Sequence, residues 1–186
     1  MSKRHNGQKR LLTFGLALAL SLCLTACATT QKSCDELWGA ACNGMSVDDV
    51  LKAIPQSVQT PPKDHLGDGA ENIVTGPPQI IDDQTFVPGF WFLQGKLEQV
   101  SLALSGINDP TNAELIFDKL VPFLKAKYGT ETLSADTTRG VFHYRVRQWA
   151  HDGTNIVLFL TFVSDAHDPL LNIVYHRRVI NNAGSP

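Results

Sequence analysis

Residues 142–163 read FHYRVRQWAHDGTNIVLFLTFV, and their pattern is the strongest indication of the fold class in the sequence. Apolar and polar residues alternate over residues 142–147, as in a strand with one buried face. Asp152-Gly153 is a strong turn signal, and residues 155–163 are apolar on both faces, as in a central strand. A third strand follows at residues 171–175. The C-terminal third of the chain therefore predicts an antiparallel meander.

A β-hairpin is predicted upstream of this meander. Residues 86–93 are rich in aromatic and β-branched side chains, and Pro88-Gly89 within them is interpreted as a turn. Gln94-Gly95 connects these residues to residues 97–104, where apolar and small polar residues alternate. This alternation is typical of a hairpin that buries one face.

Two segments carry helical signals at both ends. Ser46 is the expected N-cap of a first helix, which Pro55 ends. The second helix is expected to open at the capping box of residues 111–114 and to close at Gly129. Pro122 inside it is expected to kink it or to separate its last turn.

The elements together predict an α+β fold. Residues 56–78 are rich in proline and glycine and are expected to form a long loop that is either functional or mobile. We expect an antiparallel sheet of about five strands with two helices packed on one face. Residues 34–180 form this single domain in our interpretation, and residues 181–186 form a frayed tail.

The N-terminus has the pattern of a bacterial lipoprotein signal. Residues 1–10 contain four basic and no acidic residues, and the apolar run over residues 11–26 is shorter than the roughly 20 residues of a membrane span. The run ends in Leu24-Thr25-Ala26-Cys27, which resembles a lipobox. Residues 1–26 are therefore predicted to be a signal peptide and Cys27 the lipidated residue. The alternatives are lipidation at Cys23 and an ordinary secretory signal.

This resemblance implies a location. Ala28 directly after the cysteine is similar to the signal for export to the outer membrane. The lipid chains would hold the protein on the periplasmic face of that membrane, with residues 27–33 as a tether. Without the four signal-peptide cations, 12 Lys and Arg stand against 18 Asp and Glu, a formal charge of −6. This charge and this compartment argue against a nucleic-acid partner.

Two cysteines remain after Cys23 and Cys27 are set aside. In an oxidising periplasm Cys34 and Cys42 are expected to form a structural disulfide. Such a bond excludes a continuous helix over residues 34–42, whose ends would be about 12 Å apart. A redox role is disfavoured because the spacing is not C-x-x-C.

Two further motifs resemble those of small α+β outer-membrane lipoproteins. They are Gly44-Met45-Ser46, followed by Val50 and Ile54-Pro55, and Phe90-Trp91-Phe92 with Gly95-Lys96-Leu97. The group includes the small lipoprotein of the β-barrel assembly machine and is related to the β-lactamase-inhibitor-like fold. The resemblance implies a non-enzymatic scaffold or binding protein.

The sequence offers little for catalysis or for a cofactor. It contains no G-x-S-x-G, S-x-x-K or H-E-x-x-H motif. Residues 165–168, Asp-Ala-His-Asp, are the densest group of metal-ligand types, but turns often contain such residues. We therefore predict no enzyme, no metal and no cofactor, with a metal-dependent hydrolase at residues 165–168 as a remote alternative.

The meander supplies the candidate binding surface. If the apolar residues at 142, 144 and 146 face the helices, their neighbours project from the opposite face with Phe159 as an apolar floor. The predicted binding residues are His143, Arg145, Arg147, Phe159, His176 and Arg178. This surface suits an envelope protein bound by a scaffold or accessory subunit. The alternatives are that loop 56–79 or the hairpin around Trp91 covers this face, or that the chain binds a small molecule or cell-wall fragment between sheet and loop. The oligomeric state is left open.

Overall fold

The computed structural model describes residues 34–62, 64–164 and 168–178, and a nine-stranded antiparallel sheet is its largest element. The elements in chain order are β1 (Glu36–Trp38), β2 (Ala41–Cys42), α1 (Val47–Ala53), β3 (Val58–Gln59), β4 (Glu71–Thr75), β5 (Gln79–Ile81), β6 (Gln84–Leu93), β7 (Lys96–Leu104), α2 (Pro110–Tyr128), β8 (Leu133–Arg139), β9 (Phe142–His151), β10 (Thr154–Val163) and β11 (Leu170–Arg177). The order across the large sheet is β3-β4-β6-β7-β11-β10-β9-β8, with β5 also paired to β6, while β1 and β2 form a separate hairpin.

The predicted α+β class with about five strands is wrong, because the protein is mostly β. Strands account for 50% of the described residues and helices for 18%. Strands β3 and β4 lie in the segment expected to be a loop, and β8 has the polar sequence LSADTTR. Backbone hydrogen bonds to neighbouring strands hold these strands in the sheet, so they need no alternating apolar pattern.

The turn expected at Pro88-Gly89 is absent from the described fold, since β6 continues through both residues. Pro88 lies between the part of β6 that pairs with β4 and the part that pairs with β5. Its missing N–H therefore costs no ladder hydrogen bond, and its carbonyl accepts from the Gly76 N–H at 2.9 Å. The hairpin turn predicted at Gln94-Gly95 is confirmed, with Leu93 paired to Lys96.

The two predicted helices are confirmed, with changes at the second. Helix α1 begins after Ser46, whose hydroxyl accepts from the Asp49 N–H at 3.2 Å in a capping box. Helix α2 begins two residues earlier than expected, since Asp109 and not Thr111 is its N-cap. It continues through the exposed Pro122, where water can satisfy the freed carbonyl, and ends at Gly129 with φ of 88°.

One hydrophobic core lies between a single face of the sheet and the elements α1, α2 and β1–β2. We call this the core face. Strand β10 contributes Ile156, Leu158 and Leu160 to it, and each is at most 1% exposed. Trp149 of β9 is fully buried beside them. The predicted meander β9–β10–β11 is confirmed, with β10 paired on both sides.

The predicted disulfide between Cys34 and Cys42 is confirmed, with the two Cα atoms 5.7 Å apart. It closes the β1–β2 hairpin, and the Thr154 hydroxyl fixes this hairpin to β10 by donating to the Glu36 carbonyl at 2.7 Å. The predicted signal peptide, Cys27, the tether and the tail at 181–186 lie outside the described residues. The described residues belong to one compact unit, and neither of its helices is long and apolar enough to cross a membrane.

Removing the disulfide is expected to destabilise the domain. For a loop of this length, the double variant Cys34→Ser/Cys42→Ser should lower the free energy of unfolding by about 2–3 kcal/mol, because the unfolded chain gains conformational freedom. Urea denaturation of the oxidised protein and of the variant measures the difference. Reduced wild type should match the variant, and equal stability of all three forms would contradict a structural role.

Candidate binding face of the sheet

The surface opposite the core face is built from every second residue of strands β8 to β11. In β10 these residues are Val157, Phe159 and Thr161, which alternate with the buried core residues. Phe159 pairs with Val146 of β9 and Asn172 of β11, so one continuous surface extends across the strands. We call this the open face.

Large apolar side chains on the open face are exposed to solvent. The exposed fractions are 60% for Phe142, 48% for Tyr144 and 47% for Leu170. Val146 and Val174, on the same face, are only 5% and 8% exposed because the neighbouring side chains surround them. The face is therefore a packed apolar floor with an exposed aromatic end.

The open face is also free of negative charge along these strands. Among the residues that β8, β9, β10 and β11 direct to it, none is Asp or Glu, and Arg139 and His176 are the basic ones. This contrasts with the acidic balance of the chain after position 26. A positive or neutral apolar surface on an acidic protein favours partners that are apolar with neutral or acidic margins.

A shallow pocket of about 380 Å³ lies at the β7–β11 side of the open face. Phe159 and Val157 line it from β10, and Leu66 lines it from the segment between β3 and β4. The Trp91 Nε1–H donates to the Ser101 hydroxyl at 2.8 Å in its wall. The Asn172 side-chain oxygen is buried there without a hydrogen-bond partner among the described residues. We call this the sheet–loop pocket.

The structure places two of the predicted binding residues, Phe159 and His176, on the open face and both line the sheet–loop pocket. Arg178 follows the end of β11 and is exposed, and its backbone N–H donates to the Gly153 carbonyl at 2.8 Å. The segment from 56 to 79, expected to be a loop, contributes Leu66 to the pocket rim and leaves Phe142 and Tyr144 uncovered.

The placement of His143, Arg145 and Arg147 on the open face is wrong. They share the core face with Leu158 and Leu160, which pair with Arg147 and Arg145. The Arg145 guanidinium lies 4.5 Å from the Phe117 ring centroid and donates to Asp118 of α2 at 2.8 Å. His143 stacks on Phe162 with ring centroids 4.5 Å apart. The three residues are thus held within the protein.

The reason for this error is the amphipathic character of arginine. Its long apolar stem and planar head can cover the Phe117 ring at the margin of the core while the head reaches acidic partners. The side chains of Arg145 and Arg147 are only 19% and 14% exposed. Phe142 and Tyr144 occupy the positions that the alternation assigned to the core, but they face solvent.

Asp136 of β8 is the acidic centre of this arginine cluster. It accepts two hydrogen bonds from the Arg147 guanidinium, at 2.7 and 3.0 Å, and lies 3.5 Å from Arg145 Nε. The hydrogen bonds from Arg147, together with the charges of Arg147 and Arg145, hold the pKa of the Asp136 carboxyl below its ordinary value. This cluster joins β8 to β9 and does not face a pocket on the open face.

A second pocket, of about 430 Å³, lies at the end of the sheet where the β9–β10 turn meets β1. We call it the end pocket, and its walls include Glu36, Trp38, Lys127, Tyr128, His151, Asp152 and Tyr175. Burial raises the pKa of the Tyr175 hydroxyl, and the nearby Tyr128 adds to this effect. Tyr175 therefore contributes an uncharged phenol. Sequence reasoning missed this pocket because its walls come from four separate segments.

No group of three or more metal-ligand residues occurs within the described parts of the chain. Residues 165–167 of the predicted metal-ligand group lie outside those parts. No protein-family model, no curated protein and no solved structure matches this chain. The resemblances to lipoproteins and to the β-lactamase-inhibitor-like fold therefore stay predictions.

The variant Asp136→Asn is expected to be less stable than wild type at pH 7 by about 1 kcal/mol, because Arg147 loses charge-assisted hydrogen bonds and Arg145 loses an opposite charge. The carboxylate has a lowered pKa in the folded state, so its contribution is complete above the unfolded value of about 4 and is lost as the pH falls through the folded value. Thermal unfolding at pH 7 and pH 2.5 should show that the stability difference between wild type and Asp136→Asn is smaller in acid. The exposed turn variant Asp83→Asn is the control and should show no such narrowing.

Proposed function

We propose that this chain is a lipid-anchored accessory protein of the bacterial envelope that binds another envelope protein through the open face. The observation that carries the proposal is the exposed apolar end of this face, centred on Phe142 and Tyr144. Exposed aromatic residues grouped on one face are typical of surfaces that bind proteins. The signal-like N-terminus supports the anchor and the compartment.

The edge of the sheet supports a protein partner over a small molecule. Strand β8 is the last strand on this side, and no described strand pairs with its other edge. Its unpaired backbone groups lie beside Phe142 and Tyr144, which together with Thr137 and Arg139 line a depression of about 390 Å³. An extended segment of a partner can add to such an edge while its side chains contact the adjoining apolar surface.

The charge of the face narrows the chemistry of the partner. Arg139 is the cation at the exposed end, and the strands β8 to β11 direct no acidic residue to this face. The expected partner therefore presents apolar side chains with neutral or acidic residues around them. A basic partner would gain no electrostatic attraction from these strands.

A small-molecule binder is the second candidate, and the sheet–loop pocket favours it. The pocket has an apolar floor at Phe159 and a buried, unpaired acceptor at Asn172, which suits an apolar compound with one hydrogen-bond donor. It predicts that such a compound raises the melting temperature of the full chain, and that Val157→Phe abolishes the rise by filling the pocket. A protein-binding role predicts no such rise.

The proposal is tested by photo-crosslinking in intact cells. A photoreactive amino acid at Phe142 is expected to give one dominant protein adduct, whereas the same group at Leu115 on the exposed side of α2 should give none. Leu115 is the matched control because it is 58% exposed. Adducts at Leu115 alone, or the same adducts at both positions, would contradict a role for the open face.

A pair of substitutions tests the face without disturbing the fold. With the photoreactive group at Leu170, Phe142→Ser/Tyr144→Ser should reduce the adduct about tenfold or more, since exposed aromatic anchors often dominate binding energy. The matched pair Leu115→Ser/Phe123→Ser should leave it unchanged. Both pairs should keep the melting temperature within a few degrees, because these side chains are already exposed. An undiminished adduct in Phe142→Ser/Tyr144→Ser would contradict the proposal.

A further inference from the structure

The end pocket combines aromatic walls with charged groups at its rim. Trp38 comes from β1, Tyr128 ends α2, and Tyr175 lies in β11, so three aromatic rings line one cavity of about 430 Å³. The Tyr128 and Tyr175 rings meet edge to face with centroids 6.5 Å apart, and their hydroxyl oxygens are 3.4 Å apart. This contact holds both rings in position.

One of these rings already attracts a cation of the protein itself. The Lys127 ammonium lies 5.0 Å from the centroid of the Tyr128 ring, a distance typical of a cation–π interaction. The opposite charges at the rim are the carboxylates of Glu36 and Asp152. Two acidic residues and one lysine therefore line the pocket, and the Asp152 carboxylate also lies 3.3 Å from the His151 Nε2 atom.

We propose that the end pocket binds an alkylammonium group, of the kind carried by an ethanolamine or choline phospholipid headgroup. The Tyr128 ring already attracts a cation at its face, and the aromatic and acidic residues that line the same pocket favour a further cation. A bare anion would meet two carboxylates and one lysine, so it would gain little. Lys127 competes with the ligand for the same ring face and therefore limits the affinity.

The assignment to a lipid headgroup rests on the proposed lipid anchor, whereas the amine site itself does not. Glu36 is nine residues after Cys27, and nine residues span at most about 30 Å. A protein anchored at Cys27 would therefore hold this pocket within about 30 Å of the membrane surface. A free amine is the other source of the same chemistry.

Two ligands of the same shape test the amine site on the full-length protein in a non-ionic detergent. Choline is expected to bind, and the uncharged 3,3-dimethylbutan-1-ol should bind at least about tenfold more weakly, with chloride salts matched by NaCl. Saturation-transfer NMR and calorimetry report binding of each probe. Equal affinity for the two probes would overturn the proposal. So would the absence of choline binding at concentrations up to about tens of millimolar, the range of weak binding.

Surface variants that change the charge at the pocket distinguish a site for a cation from a site for a neutral ligand. Lys127→Gln should strengthen choline binding about two- to fivefold because it removes a like charge, and Asp152→Asn should weaken it by a similar factor. Lys119→Gln, two turns earlier on α2, is the matched control and should change nothing. These side chains are exposed, so the fold is retained. Weaker choline binding in Lys127→Gln would overturn the proposal.

The source of the amine is tested in lipid nanodiscs. Free choline should bind the protein weakly in nanodiscs that contain phosphatidylethanolamine, because the lipid headgroup already occupies the pocket. It should bind more strongly in nanodiscs of phosphatidylglycerol alone. Equal choline affinity in the two types of nanodisc would overturn the headgroup assignment and leave a free amine as the ligand. None of these measurements involves the open face, so their failure is distinguishable from failure of the crosslinking at Phe142.

Discussion

Strand β10 hydrogen-bonds to β9 along one side and to β11 along the other, and the rest of the molecule depends on this double pairing. Side chains alternate along a strand, so the register sends Ile156, Leu158 and Leu160 into the core and Val157 and Phe159 to the open face. A slip of one residue would exchange the two faces and expose the core set. The same register also brings the turn at Asp152 against β1, where the end pocket forms.

Helix α2 covers the core face of β9 and β10, and the arginine cluster closes the margin between helix and sheet. Arg145 and Arg147 lie over Phe117 while their heads reach Asp118 and Asp136. Cations that would otherwise mark an interaction surface are therefore used inside the protein. The open face therefore remains apolar, with Phe142 and Tyr144 exposed at one end, and we expect a partner to bind there.

Sequence signals correctly predicted the elements that depend on a specific turn, capping or cysteine residue. The Asp152-Gly153 turn, the Ser46 capping box, Gly129 after α2 and the Cys34–Cys42 pair all behave as their residue types require. The strands β3, β4 and β8 were missed because their stability comes from backbone pairing with neighbouring strands, which their own residue pattern does not reveal. Of the predicted binding residues, Phe159 and His176 lie on the expected face, whereas His143, Arg145 and Arg147 lie on the core face. An arginine stem can pack on either side of a sheet margin, so the alternation of residue types did not decide the side.

Short-range signals in the sequence were sufficient for the antiparallel meander, the first helix, the C-terminal end of the second helix and the disulfide, because each depends on residues that are close along the chain. It also carries the signal-like N-terminus that motivates the proposed anchor. The number of strands, the buried face of β9 and the side chains that meet in the two pockets became clear from the three-dimensional structure. The physical reason is that these features depend on pairing and packing between distant segments. The core buries whichever alternating set α2 covers, and the polar or apolar pattern of one strand does not specify that choice.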